Sequence, residues 1–371
     1  MPPTPNTRRD FLKSAAVAAL GATTLSPVRA TPTPVRLYPD APPGRKARIA
    51  TVCHAGKFKS SIAVNRDYIM SLLDQACQTK PDLVCLPETF PTVGQSSRLP
   101  RGEKSEPVPG PTTDAAAKRA KEYRCYVVCP LATKRNGKHF NSAVIIDRTG
   151  QIVGIYDKTC PVTSSPDYTD LEDGITPGNP DIPVFDLDIG RIGIQICFDI
   201  GFPENWDLLR KRGARLVLWP SAYDGGFPLW AYAYIHHYYV ISSVRAGQSR
   251  MVDPCGAVLL ETDKDKQVIF RDIDLDFVVS HLDFNHSIPD KIKAKYGDRV
   301  DVRRSNMGSN HFMVEPMDPM ITCKQLQEEF EFESTFQYHD RHREAYRHIR
   351  DGQQPPQQQP LHGIRPQHKK F

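Results

Sequence analysis

The stretch Arg191-Ile192-Gly193-Ile194-Gln195-Ile196-Cys197-Phe198-Asp199-Ile200-Gly201-Phe202-Pro203-Glu204 limits the fold more than any other part of the chain. Its first half alternates and then runs apolar, as a buried strand does, and its second half supplies the Gly, Pro and acid that open a turn into a helix. Cys197 therefore stands where a strand ends. In open α/β folds that edge carries chemistry, because loops there display polar groups from a rigid base. A cysteine in a strand is more often a small buried hydrophobe than a nucleophile, so its neighbours decide its role.

Taken in order, the chain alternates two kinds of element. Ala47 to Val52 reads as a strand, Val64 to Lys80 as a helix with its stripe at Ile69, Leu72, Leu73 and Ala76, and Pro81-Asp82 stops that helix before the strand holding Glu88. Phe90 to Pro111, dense in Pro, Gly and Ser, reads as a long covering loop. A helix capped by Thr112-Thr113-Asp114 runs to about Tyr123. Strands follow at Cys125 to Leu131, Asn141 to Asp147 and Ile152 to Tyr156, the last two joined at Arg148-Thr149-Gly150. After a second loop, Thr159 to Pro183, come strands at Val184 to Leu187 and before Cys197, then a helix from Pro203 to Lys211 ended by Gly213. Leu216 to Trp219 is a strand, Leu229 to about Tyr239 a helix, and Ser242 to Ala246, Met251 to Asp253, Ala257 to Glu261 and Val268 to Asp274 are strands. The second half repeats the first. Such an order predicts two sheets packed face to face with helices outside, a four-layer α-β-β-α sandwich.

Three sparse motifs carry a resemblance. Gly193 to Glu204 fits G-x-x-I-C-[FYW]-D-x-x-F-P-E at every fixed position; Glu88 lies in Leu86-Pro87-Glu88-Thr89-Phe90, and Lys158 in Tyr156-Asp157-Lys158. From about Ala47 to about Asn310 the chain resembles the nitrilase, or carbon-nitrogen hydrolase, superfamily, and the sandwich is that family's fold. The resemblance implies that Cys197 is the nucleophile and Glu88 the base that takes its proton, while Lys158 and the backbone N–H of Phe198 hold the oxyanion. It also implies a second glutamate after the lysine that orients lysine and substrate, best matched by Glu172, with Asp170 and Asp173 nearby. Asn141 matches a family position that fixes backbone near the site. Asp199 is expected to hold the turn after Cys197, while Phe90, Tyr223, Trp206 and Trp230 are candidate pocket walls and Cys160 could reach the site. The implied substrate is a small linear amide, a carbamoyl compound or a nitrile. No cofactor and no metal are implied. N-acyl transfer would need membrane spans that this sequence lacks, a non-catalytic scaffold would not need all three site residues, and a papain-like protease would need a histidine in a recognisable context. By analogy a homo-oligomer is expected.

The ends of the chain bear on compartment. Arg8-Arg9 precedes the apolar run Ala15 to Leu20 and the small-residue end Val28-Arg29-Ala30, which reads as a signal for the Tat export machinery cleaved after Ala30 and predicts a periplasmic or extracellular protein. The run is too short to span a membrane, so no membrane anchoring is expected of the mature form. Of the net charge of +5, this signal supplies +3, and the remainder predicts neither nucleic-acid nor membrane binding. Nine cysteines is an odd count, leaving at least one thiol free, and Cys125 and Cys129 cannot pair within one strand because ~13 Å separates them. Residues 31–45 read as a Pro-rich lead-in, 46–315 as the hydrolase domain, 316–352 as a charged extension that could form a helix and dock on a neighbouring subunit or over the site, and 353–371 as a disordered Gln/Pro-rich tail. His339, His342 and His348 in the extension read as surface residues.

Overall fold

The computed structural model describes residues 43–95, 101–164, 166–172, 174–305 and 310–355. The signal, most of the lead-in, Asp173 and most of the tail lie outside them. The first half runs β1 (Lys46–Val52), α1 (Ile62–Cys77), β2 (Leu83–Cys85), α2 (Arg101–Lys104), α3 (Pro111–Tyr123), β3 (Tyr126–Arg135), β4 (Lys138–Ile146) and β5 (Ile152–Asp157). The second runs β6 (Val184–Leu187), β7 (Gly190–Ile194), α4 (Pro203–Lys211), β8 (Leu216–Ser221), α5 (Phe227–His236), β9 (Tyr239–Val244), β10 (Arg250–Val252) and β11 (Val258–Glu261), and β12 (Val268–Asp274) follows. Two six-stranded sheets result, in the orders β12-β1-β2-β3-β4-β5 and β11-β10-β9-β8-β7-β6. In each, three parallel strands sit at the centre with antiparallel strands on the flanks.

Packing follows from the side-chain patterns. Ser61 caps α1 by accepting from the Val64 N–H, and the stripe of Ile69, Leu72, Leu73 and Ala76 is buried with Ala116 and Ala120 of α3 against Val84, Val127 and Ile146 of the first sheet. Each such side chain, fully buried, contributes ~1.5–3 kcal/mol. The opposite face of that sheet, through Ile49, Leu83, Val128 and Ile145, meets Ile192, Ile194, Leu216 and Ile241 of the second sheet. The sheets are also tied by hydroxyls: Thr51 Oγ1 donates to Ser242 O at 2.7 Å and Ser243 Oγ to Val52 O at 2.6 Å. Trp206 and Leu209 of α4 cover the far face of the second sheet. Gly193 is needed for this, because a Cβ there would lie 2.8 Å from Leu209 Cδ1. The fold is therefore the α-β-β-α sandwich.

Some boundaries depart from expectation. Glu88 is not in a strand: β2 ends at Cys85, and the chain enters a turn at Thr89 with φ of 37°. The fifth helix stops at His236, because His237 takes φ of 50°, and Tyr239 already belongs to β9. The loop before α3 holds the short helix α2 and a bridge from Glu106 to Thr133. A third sheet, β13 (Val278–His281), β15 (His311–Pro316) and β14 (Val300–Arg304), was not foreshadowed, nor was α6 (Ile288–Tyr296). The charged extension forms two helices, α7 (Cys323–Phe330) and α8 (Thr335–Arg350), separated where Glu331 turns left-handed. Leu326 and Phe332 are buried in the core of this third sheet, so this part of the extension docks on its own chain. Among the described residues no helix is long and apolar enough to cross a membrane.

A buried ionic cluster fastens the third sheet. Arg303 pairs with Glu315 and with Asp253 at 3.2 Å, while Glu315 accepts from the Tyr239 hydroxyl at 2.8 Å and the Asp274 N–H at 2.5 Å. Glu315 is 2% exposed, so it tolerates its charge only with these partners. Arg303→Ala is expected to lower the unfolding free energy in urea by ~3–5 kcal/mol, the cost of leaving a buried charge unpaired. An unchanged urea midpoint would show that the cluster does not hold the sheet.

Candidate active site

Parallel strands end in loops on one edge of each sheet, and those loops meet. Glu88 follows β2, Lys158 is the first residue past β5, Cys197 lies three residues past β7, and Arg245 directly follows β9. Each is placed by local backbone bonding. Lys158 donates its N–H to Asn141 O and accepts from the Gly178 N–H, both at 2.8 Å. Cys197 opens a tight turn over Cys197–Gly201 with φ of 48°, a left-handed conformation costly for a residue with a Cβ. That turn is held by Asp199, whose carboxylate accepts from the Ile196 N–H at 2.8 Å, the Cys160 N–H at 2.8 Å and the Tyr156 hydroxyl at 2.7 Å. Trp219 Nε1 donates to Cys197 O at 3.1 Å, and Trp206 Nε1 to Asp199 O at 3.1 Å.

At the centre is a buried lysine between two carboxylates. Lys158 Nζ bonds Glu172 Oε1 and lies 3.4 Å from Glu88 Oε1. Asn141 Nδ2 donates to Glu88 Oε1 at 2.8 Å and reaches Glu172 Oε2 at 3.4 Å. With two carboxylates facing its amide nitrogen, the orientation of the Asn141 amide is decided, and its Oδ1 has no partner among the described residues. Glu172 also accepts from the Val162 N–H at 3.0 Å and sits at φ of 41°. Of the described acids in its loop, Glu172 is the one at Lys158, and Asp170 is not among the cavity-lining residues. Cys197, Glu88, Lys158, Glu172, Asn141 and Arg245 line one cavity of about 640 Å³, with Val93, Ala132, Val162, Ile175 and Ala222 as its apolar wall.

The charge states follow from these neighbours. Burial pushes the Glu88 carboxyl up, but Lys158, Arg245 and the Asn141 amide outweigh it and hold it below its usual range. Burial pushes the Cys197 thiol up to about 11, reinforced by the Glu88 carboxylate and opposed by Lys158. Burial lowers Lys158, yet Glu88, the Cys197 sulfur and Glu172 leave it above its ordinary value. At neutral pH the site holds a thiol, a carboxylate and an ammonium. Such a set can pass a proton from sulfur to carboxylate and meet a developing negative charge with a cation.

Not every expected wall residue is in the wall. Phe90 is fully buried on the α1 side of the first sheet, Trp206 is fully buried and stacked on Tyr232 at 4.4 Å, and neither lines the cavity. Both were drawn inward because an aromatic beside an amphipathic helix gains more from core burial than from a wet wall. Phe198 and Tyr223 are 41% and 43% exposed, their rings edge-on to Phe202 and Trp219, and Trp230 meets Phe227; none of the three is a lining residue. Cys160 Sγ faces Asn205 at 3.6 Å instead of the cavity. Arg245 was missed. Its Nη2 lies 3.3 Å from Glu88 Oε2 and its Nη1 3.4 Å from Thr89 Oγ1. A cation at the carboxyl end of Ser242-Ser243-Val244-Arg245-Ala246 was the available signal.

Because the Glu88 charge helps keep the Cys197 proton in place, its removal should ease ionisation. Glu88→Gln is expected to make iodoacetamide label Cys197 faster at pH 8, since the thiol is then left beside Lys158 without an opposing carboxylate. Slower labelling of the variant, followed by peptide mass spectrometry, would mean that Glu88 already draws the proton in the resting protein.

The chain is similar to several known proteins. The chain is 26% identical over 236 residues to omega-amidase NIT2 of Xenopus tropicalis, covering 58% of this chain and 84% of that one. It is 32% identical over 184 residues to the nitrilase and fragile histidine triad fusion protein NitFhit of Drosophila melanogaster, 48% of this chain but only 40% of the fusion. Among solved structures, Nit3 of Saccharomyces cerevisiae, a member of branch 10 of the nitrilase superfamily, superposes with a TM-score of 0.56 at 20% identity over 62% of this chain and 91% of that one. The amidase from Nesterenkonia sp. AN1, in a glutamate-to-glutamine mutant form carrying the acetamide moiety of fluoroacetamide on its active site cysteine, gives 0.53 at 20% identity over 64% and 94%. The Carbon-nitrogen hydrolase family model matches residues 48–280, the span that builds both sheets and every residue of the cavity, and the chain belongs to that family.

Proposed function

We propose that this chain is an amidase that hydrolyses a small linear amide or N-carbamoyl compound through a thioester on Cys197. The observation that carries the reading is the thiol, carboxylate and ammonium of Cys197, Glu88 and Lys158 facing one cavity. Glu88 takes the sulfur proton as the thiolate attacks the carbonyl carbon, and Lys158 with the Phe198 N–H holds the oxyanion. Glu88 returns that proton to the leaving nitrogen, the carbon–nitrogen bond breaks, and ammonia or an amine departs. A water, deprotonated by Glu88, then attacks the thioester, releasing the acid and restoring the thiol. Glu172 keeps Lys158 in position, and the unpartnered Asn141 Oδ1 is placed to accept from the substrate N–H. The amidase names of the relatives and the cysteine-bound acetamide of the Nesterenkonia enzyme support an amide over a nitrile.

Ammonia release from a panel of short amides, carbamoyl amino acids and nitriles tests the reading directly. Cys197→Ala is expected to abolish turnover with the fold intact by circular dichroism. Glu172→Gln should lower kcat ~10²-fold or more with little change in melting temperature, as a displaced catalytic cation would. Substantial turnover by the alanine variant, or a panel in which only nitriles react, would overturn the proposal.

The enzyme is further proposed to leave the cytoplasm by the Tat route and to act as a homo-oligomer. The Arg8-Arg9 pair ahead of an apolar run supports export. Changing both arginines to lysine should retain the uncleaved protein in the cytoplasm. A processed, exported oligomer beginning at Thr31 despite both changes, detected by N-terminal sequencing and light scattering, would point to another route.

A further inference from the structure

Two of the nine cysteines meet, far from the catalytic cavity. Cys77 closes the last turn of α1 and Cys125 immediately precedes β3, and their sulfurs lie 3.8 Å apart. Cys77 is 3% exposed and Cys125 0%, inside the core between α1, α3 and the first sheet. The backbone around both is settled: the Cys125 N–H donates to Ala120 O at 3.1 Å, and the Lys80 N–H to Cys77 O at 2.9 Å. Two thiols aimed at one another gain little, since sulfur is a weak donor and a weak acceptor. The contact is nonetheless only about 1.8 Å longer than a disulfide bond.

We propose that Cys77 and Cys125 form a structural disulfide when the chain folds in the presence of a disulfide donor. The inference is independent of the catalytic reading. Exchange can begin at either thiol, for example with Cys125 as its thiolate. That thiolate attacks one sulfur of the donor, such as oxidised glutathione, and the donor's other sulfur leaves as a thiolate. The Cys77 thiolate then attacks the Cys125 side of the mixed disulfide and expels the second donor thiolate. Two cysteine thiols lose two protons and two electrons in all, and one donor disulfide becomes two thiols. Exchange takes place while the end of α1 is still open, and once the helix docks, burial shields the bond from reductants.

The bond would close a loop with 48 positions between its ends, tying α1 to the entry of β3 across the base of β2. Glu88 hangs from the other end of β2. The link therefore restrains the strand that carries the site without touching the cavity, and its loss should leave turnover unchanged. By restricting the unfolded chain it should raise the melting temperature by roughly 5 °C.

The test is to refold the full mature chain in oxidised and reduced glutathione, block it with N-ethylmaleimide under denaturing conditions, and map tryptic peptides without reductant. The expected product joins residues 67–98 to residues 125–134, with Cys85 and Cys129 in those peptides carrying the maleimide. The melting temperature should fall by roughly 5 °C when this product is reduced under denaturing conditions and refolded in reductant, and Cys77→Ala and Cys125→Ala should be insensitive to the same treatment. Maleimide on both Cys77 and Cys125, or a link that uses Cys85 or Cys129, would overturn the proposal. So would a melting temperature that reduction does not move.

Discussion

Everything at the site depends on burying one ammonium. Lys158 is 2% exposed, and taking its charge out of water costs several kcal/mol unless carboxylates compensate. Glu88 and Glu172 do so from opposite parts of the chain, and Asn141 holds both of them. The ammonium, the two carboxylates and the Asn141 amide hold one another in place. This is why a glutamate at a strand end, a lysine after another strand and a glutamate in a long loop are one unit, although up to 84 residues separate them in sequence.

That unit also sets the state of the cysteine. Two cations, Lys158 and Arg245, keep Glu88 ionised against the effect of burial, and the resulting carboxylate helps keep the Cys197 thiol protonated. Carboxylate and thiol are thus held in unlike protonation states by the same field. The backbone takes the left-handed region at Thr89, Glu172 and Cys197, and the neighbouring structure must hold it there. For Cys197 that neighbour is Asp199, whose three bonds to Ile196, Cys160 and Tyr156 join three segments under the turn. The aspartate in the cysteine motif therefore has a positional explanation that needs no contact with substrate.

Residues beyond the matched span add a second layer of stabilisation. The third sheet is fastened to both main sheets through Glu315, which reaches Tyr239 of β9 and Asp274 of β12. Farther on, Phe336 of α8 lies over His237 at 4.9 Å and under the Arg210 guanidinium at 4.8 Å. The C-terminal region thereby meets the ends of α4 and α5 on the outer side of the second sheet.

The sequence by itself determined the alternation of strands and helices and the duplicated order, while resemblance to a family picked out Cys197, Glu88 and Lys158. Period-two and period-3.6 patterns and Pro203 at a helix start are local signals, and local physics reads them correctly. The same resemblance singled out Glu172 among several loop acids. Tertiary structure alone decided which aromatic side chains entered the core, since Phe90 and Trp206 have the same composition signal as wall residues and differ only in what packs against them. It decided that Arg245 meets Glu88, a pairing 157 positions apart that no periodicity encodes. It decided, too, that Cys77 faces Cys125 and not Cys85 or Cys129, because a helix end and a strand start become neighbours only after the sheet has formed.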